Sequence, residues 1–178
     1  MVTFQDALDA VEEERGRLGV LVKQFPHGMH RICELELLGM IAKDYKPHTY
    51  IELGCGKGYG MAFVKQAHPE VRLVGYESWE PTGQYVRDFD IFSPSFLADV
   101  TPFTGVAPLF VYTDNGHKIT ELKMMSTFIK KGDIIGTHDW PNEVCDETFM
   151  LDLGFVHAAE YDEYINKYAS LQRFWKRP

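Results

Sequence analysis

Residues 50–60 read Tyr-Ile-Glu-Leu-Gly-Cys-Gly-Lys-Gly-Tyr-Gly: an apolar run, an acid at Glu52, and then glycine at 54, 56, 58 and 60. Glycine lets the main chain turn without a Cβ penalty and lets a ligand come close to the backbone. Two ligand fingerprints fail on this stretch. Counted from Gly54, the dinucleotide pattern G-x-G-x-x-G needs its third glycine where Tyr59 stands. A P-loop needs glycine at Ile51 and a hydroxyl residue at Gly58. What remains is acid-x-Gly-x-Gly-x-Gly, the mark of a buried strand that ends, turns tightly and opens a helix. A turn of that kind with no ligand is the plainer reading. Further along, Asp114-Asn115-Gly116-His117-Lys118 and Thr137-His138-Asp139-Trp140 collect carboxylates and imidazoles, the groups that move protons and bind metals.

Strands must end at these residues for them to meet. Residues 49–53, with Tyr50, Ile51 and Leu53 apolar, read as the first strand, leading into the glycine turn and a helix through 61–67 that Pro69 stops. Residues 71–77 form the second strand and end in Glu77. In an open α/β sheet, ligands bind at the carboxyl ends of strands, and an acid ending the second one stands where a ribose diol needs acceptors. Residues 79–92 read as a short irregular helix carrying Trp79, Tyr85 and Phe89. Trp79 suits either stacking on an adenine ring or packing in the core. Residues 95–99, closing on Asp99, read as the third strand and 109–114 as the fourth. A helix follows with Ile119, Leu122, Met125 and Ile129 inward and Lys130-Lys131-Gly132 at its end. The fifth strand is 133–139 and a helix follows at 142–152. Two strands, 155–161 and 168–176, close the chain around a polar turn containing Asn166. Ahead of all this, residues 3–24 read as a helix with Phe4, Ala7, Leu8 and Val11 on one face. Residues 25–30 are a loop, and a second helix spans 30–44 with Ile32, Leu35, Leu38 and Ile41 inward.

The chain has 178 residues, 45% of them hydrophobic, enough for one domain with its own core. Residues 1–45 supply N-terminal helices and 46–178 the α/β core. A net charge of −8 argues against a tracker of phosphate backbones. Cys33, Cys55 and Cys145 have no metal-type spacing, and an odd number makes no disulfide framework. No stretch approaches the length of a membrane span and no apolar signal region opens the chain, so the expected compartment is the cytoplasm.

The glycine motif and the order of elements resemble class I S-adenosylmethionine-dependent methyltransferases, over roughly residues 30–178. The resemblance implies a Rossmann-like, three-layer α/β/α sandwich with a mostly parallel seven-stranded sheet and an antiparallel final strand. It implies S-adenosylmethionine contacts from Glu52, Gly54, Cys55, Gly56, Gly58, Glu77, Ser78, Trp79, Asp99 and Asp114, with Asp99 accepting from the adenine amino group.

Asp114-Asn115-Gly116-His117 with Thr137-His138-Asp139-Trp140 resembles one subgroup, that of the macrocin O-methyltransferase, cephalosporin hydroxylase-like and rhamnosyl O-methyltransferase families. There an acid ending strand four and an acidic pair ending strand five hold Mg²⁺, and a residue just after the strand-four acid is the general base. Carried over, Asp114, His138 and Asp139 are metal ligands and His117 the base, with Lys118 as the alternative. His138 departs from the pattern. Either Asp114 and Asp139 bind Mg²⁺ while His138 points elsewhere, or all three bind a softer ion such as Mn²⁺, Fe²⁺ or Zn²⁺, or no metal binds. The implied activity is O-methylation of a small hydroxylated molecule. Metal-dependent oxygen or hydrolytic chemistry on the same fold, or nucleotide binding without turnover, are the alternatives. Little sequence is inserted between the strands, so the acceptor pocket is expected to be built from the N-terminal helices, the loop after strand five or a partner subunit, and a homo-oligomer is a further expectation.

Overall fold

A computed structural model describes residues 32–77, 86–88, 90–141 and 147–178. The expected helix at 3–24, the loop with His27 and His30, Ser78, Trp79, Tyr85, Phe89 and Cys145 lie outside the described residues.

Helix α1 (Ile32–Tyr45) leads to strand β1 (Thr49–Leu53) and, across the glycine turn, to α2 (Tyr59–Ala67). Strands β2 (Arg72–Glu77) and β3 (Val86–Asp88) follow, then α3 (Phe96–Thr104), β4 (Leu109–Thr113) and α4 (Lys118–Ser126). Strand β5 (Ile134–Thr137), α5 (Glu147–Asp152), β6 (Val156–His157), α6 (Asp162–Tyr168) and β7 (Arg173–Lys176) complete the described chain. The seven strands make one sheet in the order β3-β2-β1-β4-β5-β7-β6. Its first five strands are parallel, and β7 runs antiparallel to both β5 and β6.

Every residue of β1, β4 and β5 is buried, as expected of strands covered on both faces. Side chains alternate across the pleat. Ile51, Leu53, Val74, Val111 and Ile135 point to one face, where Phe96, Val100, Leu122 and Met125 of α3 and α4 cover them. Tyr50, Leu73, Phe110, Tyr112 and Ile134 point to the other, beneath Leu37, Leu38, Ile41, Met61 and Val64 of α1 and α2. Each fully buried leucine or isoleucine contributes about 1.5–3 kcal/mol relative to exposure, so these two layers hold the sheet's strand tips in place.

Three sequence expectations need correction. Residues 95–99 are not a strand: Phe96 and Val100, four apart, are both buried while Leu97 is 47% exposed, so helical spacing prevails. The third strand is instead Val86–Asp88, inside the stretch read as helix, and it pairs along the outer edge of β2. The turn expected at Asn166 is helix α6, whose spacing of Tyr161, Tyr164, Ile165 and Tyr168 is helical. One face also shifts in detail, since Ile119 is 39% exposed while Lys118 and Glu121 are buried.

Candidate active site at the carboxyl edge of the sheet

The register decides which residues meet. Leu53 pairs with Tyr76 on one side and Thr113 on the other, and Thr113 pairs with Thr137. The next residue of each strand therefore emerges at one edge: Gly54, Glu77, Asp114 and His138. Main-chain bonds continue past the strands and tie the tips together. Gly54 N donates to Tyr76 O at 2.8 Å, Asp114 N to Leu53 O at 2.7 Å, and His138 N to Thr113 O at 3.1 Å.

Gly54 has φ +77°, and a Cβ there would come within 2.5 Å of the Asp114 main chain. Only glycine allows β1 and β4 to close together at this point. Two residues on, Gly56 has φ +49° but open space where a Cβ would be. Its N–H donates to Glu77 Oε2 at 2.9 Å. The turn closes with Gly58 N donating to Cys55 O at 2.7 Å, and Cys55 packs inward as a buried thiol.

Glu52 lies beneath this turn with 1% exposure. Its Oε2 accepts from Tyr50 Oη at 3.1 Å, and a Cβ on Gly60 would stand 2.8 Å from its Oε1. Burial, reinforced by the charges of Asp114 and Glu77, pushes its pKa up to about 8. Glu52 therefore supports the start of α2 from below.

Asp99 sits in the first turn of α3. It accepts from Tyr76 Oη at 2.9 Å and from Arg87 Nη2 at 2.5 Å, so it joins β2 to β3.

On the other side of the glycine turn, Asp114 Oδ1 accepts from Lys118 Nζ at 3.0 Å, and the lysine side chain is 1% exposed. Lys118 is thus an internal cation. His117 faces outward at the start of α4 with its ring edge-on to Phe92, centroids 5.0 Å apart. The main-chain N–H of His117 donates to Glu121 Oε1 at 2.8 Å, and Asn115 N donates to Glu121 Oε2 at 3.3 Å. Glu121 so caps the helix from within. Burial raises its pKa against the opposing pull of Lys118.

His138 is the hub. Its Nδ1 lies 3.4 Å from Asp114 Oδ1 and 3.2 Å from Asp139 Oδ1. Its Nε2 lies 3.3 Å from Oε2 of Glu34, which reaches in from α1 and is 1% exposed. Oε1 of Glu34 accepts from Leu171 N at 3.1 Å, fixing the carboxylate between α1 and the approach to β7. Burial alone would lower the His138 pKa, but Asp114 and Glu34 outweigh it and push it up to about 10. Asp139 adopts φ +55°, a left-handed conformation that aspartate tolerates better than most residues. One donor atom from each of Asp114, His138 and Asp139 lies within 4.8 Å of the others.

The structure thus brings Gly54, Gly56, Glu77, Asp114, His138 and Asp139 to one edge, with Lys118 buried behind Asp114. Glu34 was missed by sequence reasoning. A signal existed, because Glu34 stands three, four and seven positions before Leu37, Leu38 and Ile41, on the buried stripe of α1.

No protein-family model matches the chain, and no curated protein does. Solved structures do. CmcI-N160 in its apo form aligns with TM-score 0.60 and 16% identity, over 86% of this chain and 76% of its own. The O-methyltransferase from Bacillus cereus in complex with SAH aligns with TM-score 0.57 and 10% identity, over 97% and 90%. CmcI-D160 with Mg and SAM aligns with TM-score 0.55 and 14% identity, over 86% and 76%. At these identities the likeness is one of fold: the chain has the Rossmann-like, three-layer architecture of class I methyltransferases. Among the described residues, no helix is long and apolar enough to cross a membrane.

Proposed function

We propose that the protein is an S-adenosylmethionine-dependent methyltransferase that O-methylates a small hydroxylated molecule. One observation carries this reading: the open backbone at Gly56 lies against the carboxylate of Glu77 at the tips of β1 and β2. That pairing suits a nucleoside, since main-chain atoms can approach it closely while the acid accepts from both ribose hydroxyls. Gly54, Gly56, Gly58 and Glu77 would hold the ribose side and Asp99 the adenine amino group, with Cys55 and Glu52 shaping the turn from beneath. Ser78 and Trp79, directly after Glu77 in sequence, belong to the same reading. When bound, the cofactor supplies an electrophilic methyl group, already activated for displacement.

The protein then has two tasks, to place the acceptor oxygen and to remove its proton. Orientation supplies several kcal/mol of such barriers. His117, exposed at the start of α4, is the proposed base, an imidazole being the side chain that most often takes a proton in general base catalysis. Asp114, held by Lys118, faces the acceptor side. Two carboxylates and an imidazole also suit a divalent ion, which would lower the pKa of an acceptor hydroxyl; Asp114, His138 and Asp139 would hold it.

Calorimetry with S-adenosylmethionine and S-adenosylhomocysteine tests the reading. Micromolar binding that is lost in Glu77→Ala is expected. Equal affinity in Glu77→Ala would remove the ribose assignment, and cofactor binding with no methylated product from any hydroxylated acceptor pool would favour a module without turnover.

A further inference from the structure

We propose that Phe92 is the wall of an acceptor subsite, so that the hydroxyl methylated here is borne on a planar aromatic ring. This names the acceptor class for the reaction proposed above and rests on that reading for the base and the cofactor.

Residues 90–95 form the turn between β3 and α3. Ile91 and Phe96 are buried and anchor it in the core, yet Phe92 between them is 44% exposed. Hydrogen bonds fix the backbone that carries the ring. Phe92 N donates to Asp90 Oδ1 at 2.9 Å, Ser93 N to Asp90 O at 2.9 Å, and Phe96 N to Ser93 O at 2.9 Å. A single exposed apolar side chain is ordinary on a surface; what sets Phe92 apart is its neighbour. Its ring meets His117 edge to face, with centroids 5.0 Å apart and planes at 89°. That arrangement of rings is favourable and directional. A large apolar surface therefore stands open, in a fixed place, beside the proposed base.

The chemistry of the proton points the same way. A phenolic hydroxyl has a pKa near 10, against about 15.7 for water, which saturated alcohols resemble. It is thus about 10⁵-fold more acidic and correspondingly easier for an imidazole to deprotonate. A saturated hydroxyl would forgo both that acidity and the ring-on-ring contact with Phe92. The acceptor oxygen takes the methyl carbon as its bond to sulfur breaks. That bond's electron pair stays on sulfur as a thioether, and the phenolic proton passes to the His117 imidazole.

2-Naphthol and its saturated counterpart 2-decalol are matched probes. Their binding to the full chain is measured by calorimetry with and without saturating S-adenosylhomocysteine. 2-Naphthol is expected to bind at least about ten-fold more tightly than 2-decalol. Phe92→Ala, with a wild-type unfolding midpoint, should weaken 2-naphthol by about ten-fold and abolish the preference, and Phe92→Tyr should keep it. Leu151→Ala, at an exposed leucine on α5, should change neither affinity. S-adenosylhomocysteine affinity should be the same in every variant. A wild type that binds 2-naphthol through Phe92 but no S-adenosylhomocysteine would fail the cofactor reading and keep the subsite. No 2-naphthol binding, equal affinity for the two probes, or wild-type 2-naphthol affinity in Phe92→Ala would each overturn the proposal. So would a Phe92→Ala variant in which S-adenosylhomocysteine affinity falls as well, since the ring would then serve the cofactor.

Discussion

Glu34 Oε2 and His138 Nε2 lie 3.3 Å apart although 104 positions separate them in the chain. The contact ties the helix that precedes the sheet to the tip of β5. Glu34→Ala would leave the Leu171 N–H and the His138 ring facing a cavity in the buried layer. Lost buried partners of this kind cost about 2–4 kcal/mol. Thermal unfolding should show a midpoint lower by roughly 5–15 °C, while alanine at the exposed Asp152 should leave it within a degree or two.

Glu52 gives the fold a pH dependence. Its folded pKa of about 8 lies above the ordinary carboxyl value of 4.5, so the folded state holds the proton more tightly than the unfolded chain. The associated stability is fully present below pH 4.5 and is lost as the pH rises through 8. Each ten-fold gain in proton affinity is worth about 1.4 kcal/mol, which makes the loss on the order of 3–5 kcal/mol. Urea unfolding of wild type and Glu52→Gln at pH 6 and pH 9 isolates it. Wild type should lose markedly more stability than the variant over that interval; parallel pH profiles would show that Glu52 is ionised in the fold.

The parts of this site that were legible in the sequence are those where the chain repeats a short physical rule. Short, mostly apolar runs at 49–53, 109–113 and 134–137 read as covered strands, and the residues following them, Gly54, Asp114 and His138, fell at one edge once the strands were parallel neighbours. What failed was local. Ser95-Phe96-Leu97-Ala98-Asp99 offers one apolar run with no alternation, and only Val100 and Phe103 beyond it reveal a helical face. Val86–Asp88 is three residues long, too short for a period of two to show, and the edge of β2 stabilises it. Glu34 was hidden for another reason. An acid on an apolar stripe signals a buried carboxylate but not its partner, and that partner lies 104 positions further along the chain.

Two glycines of one turn should respond differently to the same substitution. Gly54→Ala drives a methyl group into the Asp114 main chain at a positive φ, and neither backbone can yield without parting β1 from β4. A loss of several kcal/mol and failure to accumulate folded protein are expected. Gly56→Ala meets no atom within 4 Å, so it costs only the left-handed conformation, about 1–2 kcal/mol. The variant should fold, yet its methyl group enters the space assigned to the nucleoside. S-adenosylhomocysteine affinity should fall by at least about ten-fold, equivalent to 1.4 kcal/mol. Wild-type affinity in folded Gly56→Ala would move the ligand away from this turn.

His117 and Lys118 are adjacent in sequence but differently placed, and kinetics should separate them. The His117 ring is exposed against Phe92, whereas the Lys118 ammonium is buried on Asp114. Removing an exposed ring costs little stability, and removing a general base costs about 10²–10⁴-fold in rate. His117→Ala should therefore keep the wild-type unfolding midpoint and cofactor affinity while kcat falls by at least about 10²-fold. Lys118→Met should unfold earlier, by about 3 kcal/mol, because Asp114 loses its buried cation. If His117→Ala retains full kcat, proton removal belongs elsewhere. The pH profile of kcat in wild type then decides the matter: an acid limb that vanishes in His117→Ala assigns the base, and a limb that persists assigns it to another residue.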